Sequence, residues 1–267
     1  MGEGERGGAD HRQGQYARLL AALAREDAVV GAWLGGSRGK GYGDARSDYD
    51  LWAIVRDGQG VGPVAALVAG LGLDAAFDVR VVTLADLRAL RRWGHPEGWL
   101  RYAFADTRAV LDKTGEVQPA LDAIGRFPRR RQRPFTRAWL DAYLNAAYRS
   151  VKAHARGRRF AARLDAARSV DYLLIALFAL HGRFKPYNDY LDREIHLLTA
   201  LGAAREGLLA RLAGVMAEGE PRAQLRLRDE MDAVFRPRGY GDVFDGWREH
   251  WAGLARDFGV TRVMSDE

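Results

Sequence analysis

The chain has 267 residues, a formal net charge of +6 at pH 7 and no cysteine. The lack of cysteine excludes disulfides, thiolate nucleophiles and cysteine-based zinc sites. An apolar content of 48% is typical of a globular core, and no apolar run reaches the roughly 18 residues that a membrane span requires. The length suits either one large domain or two smaller ones.

The N-terminal segment is rich in glycine and charge and has no apolar stretch. We therefore expect residues 1–13 to be a disordered tail rather than a secretory signal. With neither a targeting segment nor a membrane span in the sequence, the expected location is the cytoplasm. Residues 15–26 then place apolar side chains at helical spacing, which predicts an amphipathic helix.

A glycine-rich turn follows the first apolar run. Residues 28–34 predict a short buried strand, and Gly35, Gly36 and Ser37 come directly after it. Glycine lets the backbone turn sharply and approach a ligand closely. A serine hydroxyl and the free N–H groups at a helix start can bind phosphate oxygens. The turn therefore predicts a phosphate-binding site.

Three aspartates follow on two further apolar runs. Asp48 and Asp50 head the second run, and because residues i and i+2 of a strand share a face, both are predicted to reach one metal site. Residues 76–83 predict a third strand, in which Asp78 is unfavourable unless something offsets it, so we expect it to be a third ligand. Asp74, in the preceding turn, is a weaker candidate. Carboxylates combined with substrate phosphates suit Mg²⁺.

This segment resembles the signature of the nucleotidyltransferase superfamily that includes DNA polymerase beta and the aminoglycoside nucleotidyltransferases. That signature joins a Gly-Ser turn, a short spacer, an Asp-x-Asp strand and a third Asp on a later strand. The matching residues here are Gly36-Ser37, Asp48-Tyr49-Asp50 and Asp78, and Ser47 fits the common Ser-Asp-x-Asp form.

One position departs from the signature. Many members carry an arginine and a glycine shortly after Gly-Ser, where this chain has Lys40-Gly41. Arg38 and Lys40 therefore both stand as candidates for contacting phosphate, together with Ser47 in the loop.

The resemblance implies transfer of a nucleoside monophosphate from ATP, or another nucleoside triphosphate, to a hydroxyl group. It implies two Mg²⁺ ions, the first held by Asp48 and Asp50 and the second by these two and Asp78. The triphosphate would lie on the turn at Gly36 and Ser37.

A basic, proline-framed segment predicts the boundary between two halves. Residues 127–134 contain two prolines around four arginines and are expected to be a solvated linker, with a phosphate- or RNA-facing patch at Arg129–Arg133 as the alternative. Residues 14–126 would then form the catalytic domain and residues 135–267 a helical one. Helical patterns cover 135–156, 159–181, 188–202, 203–217, 221–235 and 243–257. The predicted fold class is α+β: an N-terminal nucleotidyltransferase fold, with a small mixed sheet flanked by helices, followed by a C-terminal helical bundle.

The helical half resembles, more loosely, the C-terminal domain of stand-alone bacterial nucleotidyltransferases. In those relatives a lysine reaches the triphosphate and an acid deprotonates the acceptor hydroxyl. The resemblance implies Lys152 and Asp171 for these roles, with Asp141 and Asp165 as rival acids. The alternatives are a solvent-facing lysine and a salt bridge from Arg168 to Asp171.

Five further residues have two interpretations each or a supporting role. Tyr187 and Asn188 either cap a helix or form a wall of the site. Trp33 and Trp52 flank the site and are expected to pack in the core, with stacking on a base as the alternative. Arg80 shares the face of Asp78 and is placed to balance the carboxylates.

No motif defines the acceptor. We expect a hydroxyl-bearing small molecule, of which an aminoglycoside-like antibiotic is the best-known example, although no acidic pocket for a cationic drug is evident. The alternatives are nucleotidylation of a protein or a tRNA, as in toxin–antitoxin relatives, and a non-catalytic nucleotide-binding module. Nucleic acid is the less favoured partner, because the abundance of arginine, alanine and glycine is typical of GC-rich coding sequences.

Overall fold

The chain forms two compact units of the α+β class. The structure is a computed structural model that describes the backbone of residues 3–257 and the side chains of residues 10–254 and 256. The units are Met1–Arg126 and Phe127–Glu267. None of the described helices combines the length and apolar character that a bilayer span requires.

The first unit alternates strands and helices around a small sheet. In chain order its elements are α1 (Glu3–Arg25), β1 (Val29–Leu34), α2 (Gly36–Gly39), β2 (Tyr49–Val55), α3 (Val61–Gly70), β3 (Phe77–Thr83), α4 (Leu84–Ala89), α5 (Arg101–Phe104), β4 (Ala109–Asp112) and α6 (Val117–Gly125). A 3₁₀ turn at Gly98–Leu100 precedes α5.

The four strands form one mixed sheet in the order β3-β2-β1-β4. β1 pairs antiparallel with β2 and β4, whereas β2 and β3 are parallel neighbours joined through α3. In this register Asp50 stands opposite Asp78. The predicted strands at residues 28–34 and 76–83 are confirmed as β1 and β3, but β2 begins at Tyr49, so Asp48 lies just before the strand.

One core cluster of the first unit lies between α1, α3 and one face of the sheet. Leu51, Ala53 and Val55 of β2 are fully buried in it, as the alternation along the strand predicts. Leu19 and Leu23 of α1 cover them. Because side chains alternate along a strand, Asp50 and Asp78 lie on the other face of the sheet.

Trp33 is a core residue on the site side of the sheet, so the packing interpretation is confirmed for it. Its side chain is buried, and its ring stacks on Phe104 with the centroids 4.2 Å apart. Its Nε1–H donates to Thr107 Oγ1 at 3.0 Å. The ring of Trp52 meets it edge-on at 5.8 Å, and Trp52 is itself only 8% exposed, which leaves little face for a base.

We expect Thr107→Val to destabilise the first unit by about 1–3 kcal/mol, because the buried Trp33 N–H would lose its acceptor without a change in side-chain shape. Chemical denaturation followed by tryptophan fluorescence measures this. In a Trp33→Phe background, which lacks the donor, the same substitution should cost clearly less. Equal costs in both backgrounds would contradict the role assigned to this hydrogen bond.

The disorder predicted for residues 1–13 is wrong over the described part, because α1 includes most of that segment. Arg12 donates to Asp74 at 3.3 Å, so the helix is tied to the turn before β3. Asp74, which lies in that turn, therefore has a structural partner in α1. Residues 1–2 lie outside the described residues.

The second unit is helical over its described length. Its elements are α7 (Arg129–Ala155), α8 (Arg159–Leu180), α9 (Leu191–Glu194), α10 (Leu208–Glu218), α11 (Pro221–Phe235) and α12 (Gly241–Asp257), with 3₁₀ turns at Asn188–Tyr190, Ile195–Leu197, Thr199–Arg205 and Arg236–Arg238. Apolar side chains of α7, α8, α10, α11 and α12 form one core. The part of the predicted domain at residues 258–267 lies outside the described residues.

The predicted linker at residues 127–134 is wrong in its secondary structure, because α7 already begins at Arg129. Arginine is a good helix former, and Pro134 near the start of a helix interrupts few intrahelical hydrogen bonds. Gln132 and Arg133 donate to the carbonyls of Leu180 and Gly239 at 2.9 and 2.8 Å. This arginine-rich segment is thus anchored in the helical unit.

Two other predicted helices are broken into short pieces. Residues 188–202 form 3₁₀ turns and the short α9, and residues 203–217 are helical only from Leu208. Gly202 and Gly207 adopt left-handed φ angles of 51° and 63°, which interrupt a helix. The apolar spacing predicted helix here, and the glycines override it.

Candidate functional site

The glycine turn is built directly onto the two central strands. The N–H of Gly35 donates to the carbonyl of Asp50 at 2.7 Å, and the N–H of Gly39 donates back to Gly35 at 2.8 Å. The short helix α2 therefore begins at the edge of β2. The first N–H groups of a helix have no acceptor within it, which applies to those of Gly36 and Ser37. Phosphate binding by this turn stays a prediction.

Gly36 packs its backbone against the Asp50 carboxylate. A Cβ added at Gly36 would lie 1.9 Å from Asp50 Oδ2, and the residue has a φ of +56°. Both the close approach and the left-handed φ require glycine. The sequence predicted the glycine for a phosphate; the structure adds that the same glycine makes room for a carboxylate.

Asp50 and Asp78 lie side by side on the sheet face opposite to the one that α1 and α3 cover. They are register partners on the parallel strands β2 and β3, and Asp48 precedes β2 in an exposed position. Partial burial raises the pKa of the Asp50 carboxyl, and repulsion by Asp78 and then Asp48 raises it further. Asp50 thus interacts electrostatically with both Asp78 and Asp48.

The donor set fits a divalent metal that substrate completes. Over residues 10–254, no group of three or more His, Asp or Glu side chains is close enough to hold a metal by itself. Mg²⁺ is usually bound through one or two carboxylates plus substrate phosphates and waters, rather than by a cage of protein ligands. An Asp50 carboxyl that is destabilised in its charged form, next to Asp78, is the electrostatic situation that a cation would relieve.

We expect the stability contribution of Asp50 to depend on pH in a defined direction. Because its pKa is raised in the folded protein, stability falls as pH rises through the ordinary and then the raised pKa. In Mg²⁺-free buffer, Asp50→Asn should therefore have a higher Tm than the native protein at about pH 8. This difference should shrink as the pH falls through the raised pKa towards the ordinary value of 3.8. Calorimetry across this range measures it. A pH-independent difference would contradict the assignment.

Arg38 and Ser47 hold the loop before Asp48. The Arg38 guanidinium donates to the carbonyls of Ser47 and Asp44, both at 3.0 Å, and lies 4.1 Å from the Tyr49 ring centroid. Ser47 Oγ donates to Asp44 Oδ1 at 3.0 Å. Hydrogen bonds from the Arg46 backbone and the Ser47 side chain hold the pKa of Asp44 below its usual range. A phosphate-contacting role of Arg38 or Ser47 stays a prediction.

Lys40, directly after α2, contacts residues of α5 and the position that follows it. Its Nζ donates to the carbonyl of Ala105 and lies 4.2 Å from the ring centroid of Tyr102. Its position two residues after Arg38 keeps it close to the turn. Its predicted contact with phosphate is likewise untested.

Arg80 has a partner that sequence reasoning missed. It donates to Glu97 Oε1 at 3.3 Å and lies 5.0 Å from the Trp52 ring centroid. Glu97 belongs to the irregular segment before α5, and nothing in the spacing of the sequence links it to β3. The charge that we expected to balance Asp78 is thus shared with a further carboxylate on the same face.

The predicted acids of the helical unit are all engaged locally. Asp171 pairs with Lys185 at 3.0 Å, so the alternative prediction of a salt bridge from Arg168 to Asp171 is wrong. Asp165 is buried and pairs with Arg149 at 3.4 Å. The third acid, Asp141, accepts a hydrogen bond at 2.8 Å from the indole N–H of Trp247 in α12. Asp171, which is the exposed acid of the Lys185 pair, stays the candidate general base.

Two further predictions concern Asn188 as a helix cap and Lys152 as a ligand of the triphosphate. Lys185 also donates to Asn188 Oδ1 at 2.7 Å, so the Asn188 side chain does not cap the 3₁₀ turn that begins there. Lys152 lies in the last turn of α7 with its Nζ 5.6 Å from the Tyr148 ring centroid. Neither observation tests the proposed contact of Lys152 with a triphosphate.

Comparison with known proteins adds no relative. No protein-family model matches the chain, and no curated protein sequence is significantly similar to it. The arrangement of Gly36, Asp50 and Asp78 is therefore the main indication of a function.

Proposed function

We propose that the chain is a Mg²⁺-dependent nucleotidyltransferase that moves a nucleoside monophosphate, AMP from ATP in the simplest case, to a hydroxyl of a small-molecule acceptor. The observation that carries this is the contact between the Gly36 backbone and the Asp50 carboxylate, beside Asp78 on the parallel neighbour strand. It joins an anion-binding turn and an acidic pair in one place. The sheet order and the preceding turn support a nucleotidyltransferase fold for the first unit.

The residues have distinct roles in this proposal. The N–H groups of Gly36 and Ser37 and the Ser37 hydroxyl bind oxygens of the triphosphate. Asp48, Asp50 and Asp78 would hold Mg²⁺ only together with oxygens of the substrate phosphates, and the bound metal would neutralise charge on the transferred group. The acceptor oxygen forms a bond to the α-phosphorus, the bond from that phosphorus to the bridging oxygen breaks, and pyrophosphate leaves.

The helical unit supplies the remaining candidates. Asp171 would accept the proton of the acceptor hydroxyl; its carboxylate is exposed, and Lys185 holds one of its two oxygens. Lys152 would contact the triphosphate. A hydroxyl-bearing antibiotic of the aminoglycoside type is the first acceptor to test, because it is the best-known hydroxyl acceptor of the enzymes that the sequence resembles.

The test uses ATP labelled at its α-phosphate in parallel with ATP labelled at its γ-phosphate. The full chain is incubated with Mg²⁺ and, in separate reactions, an aminoglycoside panel, tRNA and a protein lysate. Nucleotidyl transfer moves only the α-label, and the pool that becomes labelled identifies the acceptor class. Omitting Mg²⁺ should abolish transfer.

Two results would overturn the proposal. Transfer of the γ-label alone would identify a phosphoryl transferase, and ATP binding without transfer to any pool would favour a non-catalytic nucleotide-binding module. Label in tRNA or protein would retain the chemistry and replace the acceptor.

A further inference from the structure

The turn that joins α7 to α8 is the most basic stretch of the helical unit outside the start of α7. Residues 152–164, called here the α7–α8 corner, contain one lysine, four arginines and no acidic residue. Residues 155–160 are all exposed, and Gly157 reverses the chain with a φ of +70°. The corner therefore presents a concentrated positive charge to solvent.

An aromatic ring protrudes from the middle of this charge. Phe160 is 82% exposed, more than any other large apolar side chain that the structure describes, and Leu164, one turn further along α8, is 46% exposed. An exposed phenyl ring contributes nothing to the core of the unit. Its face is open to a flat partner.

Part of the charge at the corner is left for a partner. Arg163 pairs with Glu218 at 3.4 Å, and Arg159 contacts the His154 ring. Burial and the nearby Arg159 lower the pKa of His154, so the ring is neutral and can accept from the guanidinium. Arg156 and Arg158, by contrast, have no ion pair within residues 10–254.

We propose that the α7–α8 corner binds single-stranded nucleic acid, with Arg156 and Arg158 on the phosphates and one base stacked on Phe160. Arginine guanidinium groups match phosphate geometry, and aromatic rings on which bases stack are the usual means of holding unpaired strands. The first turn of α8 adds to this, because it has neither an acidic residue nor a side-chain cap. The inference does not depend on the activity of the first unit.

A membrane surface fits the corner less well. An interfacial helix buries a broad apolar face in the lipid. In α8, most apolar side chains are already buried in the core of the bundle. Only Phe160 and Leu164 would be left to insert. A single-stranded partner uses the ring and the arginines together.

The experiment measures fluorescence anisotropy of a labelled oligouridylate of about 20 nucleotides against the full chain. Phe160→Ala should weaken binding by about fivefold or more, Phe160→Trp should retain it, and Phe160→Leu, apolar but not aromatic, should not. Arg156→Ala/Arg158→Ala should lower the salt slope of log K by about 1.4, the share of two phosphate contacts on a single strand. The control Arg91→Ala/Arg92→Ala removes the same charge from exposed positions after α4.

Three outcomes would overturn the inference. One is binding that the corner variants weaken no more than the Arg91→Ala/Arg92→Ala control does. Another is equal competition by duplex DNA, since paired bases cannot stack on Phe160. The third is full binding by Phe160→Leu together with tighter binding to phosphatidylserine vesicles, which would identify a membrane surface. Comparing oligouridylate with oligothymidylate separates RNA from DNA within the proposal.

Discussion

Asp50→Asn is expected to lower kcat/KM for nucleotidyl transfer by about 10³-fold or more, because it removes the central carboxylate of the proposed Mg²⁺ site. The same substitution should raise stability in Mg²⁺-free buffer by up to about 1 kcal/mol, a value kept small because the carboxyl is partly exposed. The gain in stability has a separate cause from the loss of activity: burial, and then repulsion from Asp78 and Asp48, disfavours the charged form of Asp50. Transfer of α-label and thermal unfolding measure them on the same protein sample.

The control for this substitution is Asp27→Asn. Asp27 is exposed in the turn between α1 and β1, so the same loss of charge should leave both activity and Tm unchanged. Full activity of Asp50→Asn would remove the metal site from the mechanism. A Tm below that of the native protein would show that the Asp50 carboxylate stabilises the fold rather than straining it.

Gly36→Ala is expected to destabilise the first unit by about 3 kcal/mol or more, because the new methyl group overlaps the Asp50 carboxylate and the backbone has a left-handed φ. The added Cβ would lie only 1.9 Å from Asp50 Oδ2. Nucleotide binding should be lost at the same time, since relief of the overlap moves either the turn or Asp50. Denaturant unfolding and ATP titration measure the two losses.

Two variants separate the overlap from the backbone strain. Gly41→Ala, at a φ of +73° with nothing within 4 Å of the added Cβ, should cost only about 1 kcal/mol. Gly36→Ala/Asp50→Ala should regain most of the difference, because the Asp50 Cβ lies 3.5 Å from the added methyl, an ordinary contact. If the double variant is no more stable than Gly36→Ala, the close packing of Gly36 on Asp50 is not what requires glycine.

The sheet was predictable because its strands are apolar runs that end at glycines or turns. β1 and β3 agree with the predicted ranges to within a residue, and the inward positions of Leu51, Ala53 and Val55 follow from strand alternation. The placement of Asp48 failed for a local reason. Alternation assumes that the strand includes residue 48, whereas the loop held by Arg38 keeps it just outside β2.

The features that escaped prediction depend on contacts between distant segments. Glu97 reaches Arg80, and Lys185 reaches Asp171, through loops whose paths no local pattern encodes. The arginine-rich segment at 127–134 was predicted to be a linker because of its prolines, but its contacts with the rest of the helical unit favour a helix. Glycine content predicted that the backbone approaches something at Gly36, without showing that this includes a side chain of the same protein.

The parallel pairing of β2 and β3 also makes the acidic pair sensitive to changes that touch no acidic residue. The two strands are aligned through α3 and the segment 71–76, which together fix Asp78 opposite Asp50. A slip of β3 by one position would turn Asp78 towards the core and bring Phe77 or Val79 beside Asp50, because strand side chains alternate between faces. Any change that shifted the register by one residue would therefore erase the carboxylate pair while every aspartate is still present in the chain.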